Sequence, residues 1–314
     1  MSVQIALRHA RSRLRSISSA EDAWAFLVRT ANFLLTSTGR ESEKLKAYDM
    51  ELTGKFAYRK LAKYQVGEKY NFNGIYLPSL DREDYGNLTE LYACVKDVLS
   101  VYLHNNDDYS KAYVDKLDKY LVEGVYCYED ENAKILISEG DTVLDLGAWI
   151  GDFSAYAGKK GARVYAFEPM EATRHILEQT VQLNSNSEIK IVPFGVGDKN
   201  EVVEFYHYKG HTASSTFSAI NANITNSVVK QQIVRLDDWI ISENVKKVDF
   251  IKADIEGFEP NMLRGATNIL KYHKPILSLC TYHNPTDFQE MRQIILAANE
   301  EYKIIRRFMK MFAY

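Results

Sequence analysis

Cysteine is scarce in this chain: three among 314 residues, Cys94, Cys127 and Cys280, with neither a CxxC spacing nor a cysteine–histidine pattern of the kind that ligates zinc. That scarcity excludes a disulfide framework and a structural zinc cluster, and it fits a reducing compartment, so a cytoplasmic location is expected. Charge of one sign is also lacking. With 39 basic against 42 acidic residues the net charge is −3, too little for a global field that would recruit nucleic acid or an anionic membrane, and neither is an expected partner. No hydrophobic run approaches the roughly 18 residues of a membrane span, and the first residues lack the apolar core of a secretory signal. "RHARSRLRS", with Arg8, Arg11, Arg13 and Arg15, reads as a solvated basic helix face. What is present, 46% hydrophobic residues over this length, is enough for one large domain or one domain with a smaller companion.

The pattern changes near Gly124. Residues 1–124 read as mainly helical: "AEDAWAFLVRTANFLL" sets Trp24, Leu27, Val28, Ala31 and Leu35 at helical spacing, a stripe expected in the core. "YNFNGIYLP" reads as a short strand or turn around Asn73-Gly74, and a helix is expected over about 87–104. This region is expected to form a cap or a homodimer surface. In residues 125–314 short β-branched runs alternate with helical stretches: "TVLDLG", "RVYAFE", "IKIVPF", "KVDFIKAD" and "KPILSLC" are strands, with helices at 151–160, 171–184 and 259–272 between them. The ending "EYKIIRRFMKMFAY" supplies a last strand or hairpin. Such βαβ alternation predicts an α/β fold, a mostly parallel sheet with helices on both faces and ligands beyond the carboxyl ends of the strands.

The stretch "VLDLGAWIGDF" carries the first ligand signal. A dinucleotide enzyme would show G-x-G-x-x-G facing a pyrophosphate. Here the pattern is Asp145-x-Gly147-x-x-x-Gly151, with an acid inside the turn. An acid there disfavours an anion and suits a ligand with an ammonium group, which points to S-adenosylmethionine over a nicotinamide cofactor. Glu168, at the end of the second strand, is placed to accept from ribose hydroxyls. Asp198, beyond Gly195 and Gly197, is placed to accept from an adenine amino group.

"YCYEDENAKILISEGDTVLDLGAWIGDFSAYAGKKGARVYAFEP", then "VGD", "VRLDDWI", "VDFIKADIEGFEPNMLRGA" and "ILSLCTYHNP" follow in an order and spacing that resemble the FkbM family of S-adenosylmethionine-dependent methyltransferases. The resemblance covers about residues 123–305. Its most specific part is Lys252-Ala253-Asp254-Ile255-Glu256-Gly257-Phe258-Glu259, similar to a K-x-D-x-E-G-x-E signature. It implies the Rossmann-like class I methyltransferase fold with a seven-stranded sheet, and a hydroxyl acceptor on a sugar or glycan. It implies cofactor contacts at Asp145, Gly147, Ala148, Gly151, Phe167, Glu168, Gly197, Asp198 and Asp254. Methylation of an amine or a protein side chain, and a non-catalytic binding protein on the same fold, are the alternatives.

Methyl transfer to an alcohol needs an aligned nucleophile and removal of its proton. Asp254 and Glu256, two apart on an extended chain, are expected on one side of the sheet. His283, with an ordinary imidazole pKa near 6.5, is the first choice of base. Asp254, Glu256 and His283 form the alternative, a site for a divalent cation such as Mg2+. Glu259 is read as a helix N-terminal charge. The polar stretch 206–240 is read as a lid or acceptor loop, or equally as an edge hairpin, and His211, Ser215 and Asn284 are the acceptor-contact candidates. Asp237 is read as an N-cap of its own short helix.

Overall fold

A computed structural model describes residues 43–97, 126–129, 131–208, 211–216, 227–307 and 309–314, and positions 20, 23–24, 27–28 and 30–31. The arginine-rich stretch, Leu35 and the expected helix beyond residue 97 lie outside the described residues.

Helix α1 (Glu43–Leu61) and helix α2 (Tyr85–Asp97) flank an antiparallel meander of β1 (Gln65–Val66), β2 (Lys69–Phe72) and β3 (Ile75–Pro78). Asn73 and Gly74, with φ of 55° and 85°, make the two-residue hairpin turn between β2 and β3. Tyr70, Phe72, Ile75 and Leu77 are buried by the alternation of the ribbon and its packing. The stripe on the first helical segment divides: Val28 is buried, but Trp24 and Leu27 are exposed, and the Trp24 indole N–H donates to Tyr48 Oη at 3.0 Å. An indole N–H needs a polar partner, which favours a wet surface over the core.

A two-stranded ribbon, β4 (Tyr128–Glu129) and β5 (Lys134–Ile135), leads into the main sheet. That sheet holds β6 (Thr142–Leu146), β7 (Arg163–Phe167), β8 (Glu188–Val192), β13 (Phe250–Ala253), β14 (Ile276–Cys280), β15 (Ile304–Arg307) and β16 (Lys310–Ala313) in the order β15-β16-β14-β13-β6-β7-β8. Strands β6, β7, β8, β13 and β14 run parallel, and β16 alone is antiparallel to its neighbours. The expected seven-stranded, mostly parallel sheet is therefore present. Chain order departs in both directions from β6, so the switch point lies at the carboxyl ends of β6 and β13.

Both faces of the sheet are covered, as alternate residues show. Val143, Phe250 and Phe312 enter a core with Phe153 and Ala157 of α3 (Asp152–Lys159) and with Leu61, Phe72, Ile75 and Leu77 of the meander region. Leu144, Ile251 and Met311 enter a second core with α5 (Leu236–Ser242), α6 (Glu259–Arg264) and α7 (Asp287–Ala298) through Trp239, Met262 and Met291. Each such large side chain, fully buried, contributes roughly 1.5–3 kcal/mol. The meander also docks by polar contacts: Asn184, just after α4 (Glu171–Leu183), accepts from the Tyr76 N–H at 3.0 Å and donates to its carbonyl at 2.6 Å.

The stretch 206–240, read as a lid loop or as an edge hairpin, follows the second reading over its described residues, and two other expectations need correction. The stretch 206–240 is mostly strand: β10 (Glu201–Tyr208), β11 (His211–Thr216) and β12 (Ser227–Arg235) join β9 (Gly195–Gly197) in a four-stranded sheet ordered β11-β10-β12-β9. The described part is an edge ribbon, and residues 217–226 lie outside the described residues. The helix expected over 259–272 breaks after Arg264 and resumes as a wide turn, Ile269–His273. Gly265 sits so close to β9 that a Cβ there would lie 2.0 Å from the Gly197 carbonyl oxygen. Asp237 caps that second turn, accepting from the Asn268 and Ile269 N–H groups, and not its own helix.

Candidate active site

At the end of β6 the acid and the glycines of the turn do other work than expected. Asp145 is fully buried; its Oδ1 pairs with Lys252 Nζ at 3.0 Å and its Oδ2 accepts from Ser154 Oγ at 2.6 Å. Lys252 stands opposite Asp145 in the β13–β6 register and also donates to the Gly147 carbonyl at 2.6 Å. The charge of Asp145 is answered inside the protein, so the expectation that it faces a ligand's ammonium is not realised. Gly147, at φ 74°, passes the backbone after β13: a Cβ there would lie 2.0 Å from the Asp254 carbonyl oxygen. At Gly151 a Cβ would meet Leu177 of α4 at 2.5 Å. At both positions a side chain would collide with neighbouring protein atoms. The Gly147 and Ala148 N–H groups donate to the Phe167 carbonyl, and the Ala148 methyl packs on Ala166 and Leu177.

Glu168 follows β7, buried. Its Oε1 accepts from the Met170 N–H at 2.9 Å and its Oε2 from the Trp149 N–H at 3.1 Å. Burial outweighs these bonds and pushes its pKa up to about 7. The Phe167 side chain is turned into the core, 4.7 Å centroid to centroid from Trp239. Gly197 is buried in β9, and Asp198 is half-buried just past it.

Beyond β13 and β14 four ionisable groups converge. Asp254 accepts from Tyr126 Oη at 2.7 Å and Tyr282 Oη at 2.8 Å. Burial pushes its pKa up, but Lys252, His283 and Lys310 outweigh burial and hold it at about 2. The chain does not stay extended after Asp254: Glu256 has φ 57°. That bend still brings Glu256 Oε2 to 3.6 Å from His283 Nε2, with Asp254 Oδ1 at 3.7 Å from the same nitrogen. On the other edge of the ring, Nδ1 lies 3.3 Å from Oε1 of the fully buried Glu259. Burial opposes the imidazolium, yet Glu259, then Asp254 and Glu256, overcome it and raise the pKa to about 9. The ordinary value used in the sequence reading does not apply, because three carboxylates surround the ring.

The family model described as the methyltransferase FkbM domain matches residues 145–304. The chain belongs to the FkbM methyltransferase family. It is 28% identical over 142 residues to Methyltransferase 1 of Beauveria bassiana, covering 39% of this chain and 57% of that protein. It is 33% identical over 92 residues to ribosomal RNA small subunit methyltransferase A of Thermotoga neapolitana, 28% of this chain and 35% of that protein. The chain thus spans little more than half, and about a third, of these curated relatives. Among solved structures, a methyltransferase FkbM from Methylobacillus flagellatus is similar at a TM-score of 0.47 and 21% identity, over 84% of this chain and 59% of that one. Fibrillarin of Aeropyrum pernix, solved with S-adenosyl-L-methionine bound, is similar at 0.38 and 14%, over 66% and 76%.

In this FkbM chain the signature residues 252–259 thus divide their work: Lys252 neutralises, Asp254 and Glu256 face the site, and Glu259 backs His283. The residues fit an adenosine ligand at Glu168, where each carboxylate oxygen takes one backbone N–H and keeps acceptor capacity for ribose hydroxyls. They do not fit Mg2+. The described histidine–carboxylate cluster with ligand atoms within 4.8 Å is Asp254, Glu259 and His283, not the expected trio with Glu256. Both Asp254 oxygens already accept tyrosine hydroxyls, and Glu259 Oε1 accepts from the Ile255 N–H, so the oxygens a cation would need are engaged. Asn284 is bonded to Asp287, its backbone nitrogen donating at 2.8 Å and its amide nitrogen at 3.1 Å to the two carboxylate oxygens. The backbone of His211 and Ser215 lies in β11; their side chains lie outside the described residues. Tyr126, Tyr282 and Lys310 escaped the sequence reading. Tyr126 stands 128 residues from Asp254 in the chain, and Lys310, on β16 opposite Cys280 of β14, is fully buried with its Nζ 4.2 Å from the Tyr126 ring centroid.

Proposed function

We propose that this chain is a cytoplasmic S-adenosylmethionine-dependent O-methyltransferase whose acceptor is a hydroxyl of a sugar or glycan. The observation that carries the reading is His283 Nε2, held 3.6–3.7 Å from Glu256 and Asp254 at the ends of β13 and β14, beside the switch point. When bound, the cofactor supplies an electrophilic methyl group. The protein's part is to hold Glu168 for the ribose, to keep negative charge at Asp254 and Glu256 for the cationic donor, and to take the acceptor's proton at His283. An alcohol gains far more from a strong base than an amine that already offers a lone pair, which favours the hydroxyl reading. The sugar half of the proposal comes from the family's usual acceptors. Residues 1–124 cap the site or join two copies, and residues 125–314 bind the cofactor.

The direct test incubates the purified chain with labelled S-adenosylmethionine and a panel of glycans, expecting label on oxygen; absence of any cofactor binding ends the reading. Two further outcomes are expected. Glu168→Ala weakens binding of S-adenosylhomocysteine about tenfold or more in calorimetry, as expected from the loss of charge-assisted hydrogen bonds, and unaltered affinity refutes its role. His283 accepts a proton only when neutral, so kcat/KM rises with pH through about 9 and levels off above it. In His283→Asn turnover drops while cofactor affinity holds, and that limb disappears. A limb retained in the variant rules His283 out as the base.

A further inference from the structure

We propose that Glu259 is a positioning residue for proton transfer: from behind His283 it accepts a hydrogen bond from Nδ1–H and so leaves the Nε2 lone pair facing the acceptor side of the site. The inference rests on the reading of His283 as base. Glu259 is the first residue of α6, a helix of six residues, and its side chain turns inward instead of serving a helix terminus. The Ile255 N–H, donating to Oε1 at 2.9 Å, fixes that carboxylate, and the same oxygen stands 3.3 Å from His283 Nδ1. Both ring nitrogens of His283 and Oε2 of Glu259 are buried without a well-formed hydrogen bond among the described residues. A fold rarely leaves such groups so unless their bonds tighten in use.

The surroundings of the ring define which edge works. Nε2 faces Asp254 and Glu256, with Lys252 and Lys310 acting on Asp254 and the Tyr282 ring tilted by 44° against the imidazole at 4.3 Å between centroids. Among the described residues, Nδ1 has Glu259 as its one charged group within ion-pair distance. Carboxylates accept and cannot donate, and in the neutral ring the nearer one, Glu259 at 3.3 Å from Nδ1 against 3.6–3.7 Å for those at Nε2, favours the Nδ1–H tautomer. The acceptor's hydroxyl proton then goes to Nε2, the Nδ1 proton stays in place, and the new imidazolium is balanced by Glu259.

Glu259→Gln tests this in the full chain. One oxygen of Glu259 serves both the Ile255 N–H and Nδ1, so glutamine with its oxygen kept there preserves the tautomer and loses the charge that balances the imidazolium. Expected results are a fall in kcat of about tenfold or more, from the lost charge balance of the imidazolium, with S-adenosylhomocysteine affinity within twofold and a melting point close to wild type. Long-range ¹⁵N–¹H spectra above the imidazole pKa read the tautomer without any acceptor. They are expected to show Nδ1–H for His283 in the wild type, with the histidine titrating at lower pH in the variant. An Nε2–H tautomer in the wild type, or an active Glu259→Gln beside an inactive His283→Asn, overturns the role of Glu259. Full activity in His283→Asn instead overturns the base reading on which it rests.

Discussion

Replacing Lys252 with methionine is expected to lower the unfolding free energy by about 3–5 kcal/mol, the cost of leaving a buried charge without its partner. Asp145 is fully buried, and Lys252 is its cation at 3.0 Å. Methionine matches much of the lysine stem, so the loss reports charge and hydrogen bonding more than packing. The ammonium also holds the Gly147 carbonyl and acts on Asp254, so the turn and the site acid are disturbed together. Urea titration followed by circular dichroism measures the change. Asp145→Asn in the Lys252→Met background is expected to recover part of it, since a neutral amide tolerates an apolar neighbour better than a carboxylate does. An unaltered urea midpoint in the single variant, or further destabilisation in the double, contradicts the account.

The second large effect is expected at Gly147→Ala. An alanine at φ 74° costs roughly 1–2 kcal/mol from its left-handed conformation alone. Here the added Cβ would also sit 2.0 Å from the Asp254 carbonyl oxygen, a backbone atom that cannot swing aside. The β6 turn and the chain after β13 must therefore separate, displacing Asp254 from the switch point. Cofactor affinity is expected to drop by at least tenfold along with the melting temperature. Gly140→Ala isolates the two causes: Gly140 has φ 84° and open space where a Cβ would go, so it carries the conformational cost without the collision. Equal losses of stability in the two variants, with cofactor binding intact in both, would show that the close approach to Asp254 has no consequence.

Much of this was legible in the chain. Asp145, Gly147 and Gly151 marked the first strand-to-helix turn, Glu168 the second strand end, and the run from Lys252 to Glu259 the fourth. Their spacing was enough to place them around one switch point, because a parallel βαβ sheet leaves little freedom in where strand ends meet. Their tasks were less legible. Asp145 looked like a ligand group because a sequence does not show which strand will lie beside it. Once β13 pairs with β6 in register, Lys252 stands opposite and takes its charge. Glu259 looked like a helix-end charge, and became the backing of a histidine only when α6 closed against the end of β14.

By itself, then, the order of apolar runs, glycines and acids determined the strand sequence, the helices that cross between strands and the edge at which chemistry is to be sought. Those features follow from periodicity and backbone sterics, which are local. The tertiary structure decided which acids remain facing the site and how basic His283 is. Charge pairing and desolvation depend on neighbours such as Tyr126 and Lys310, which lie far away along the chain and close only in space.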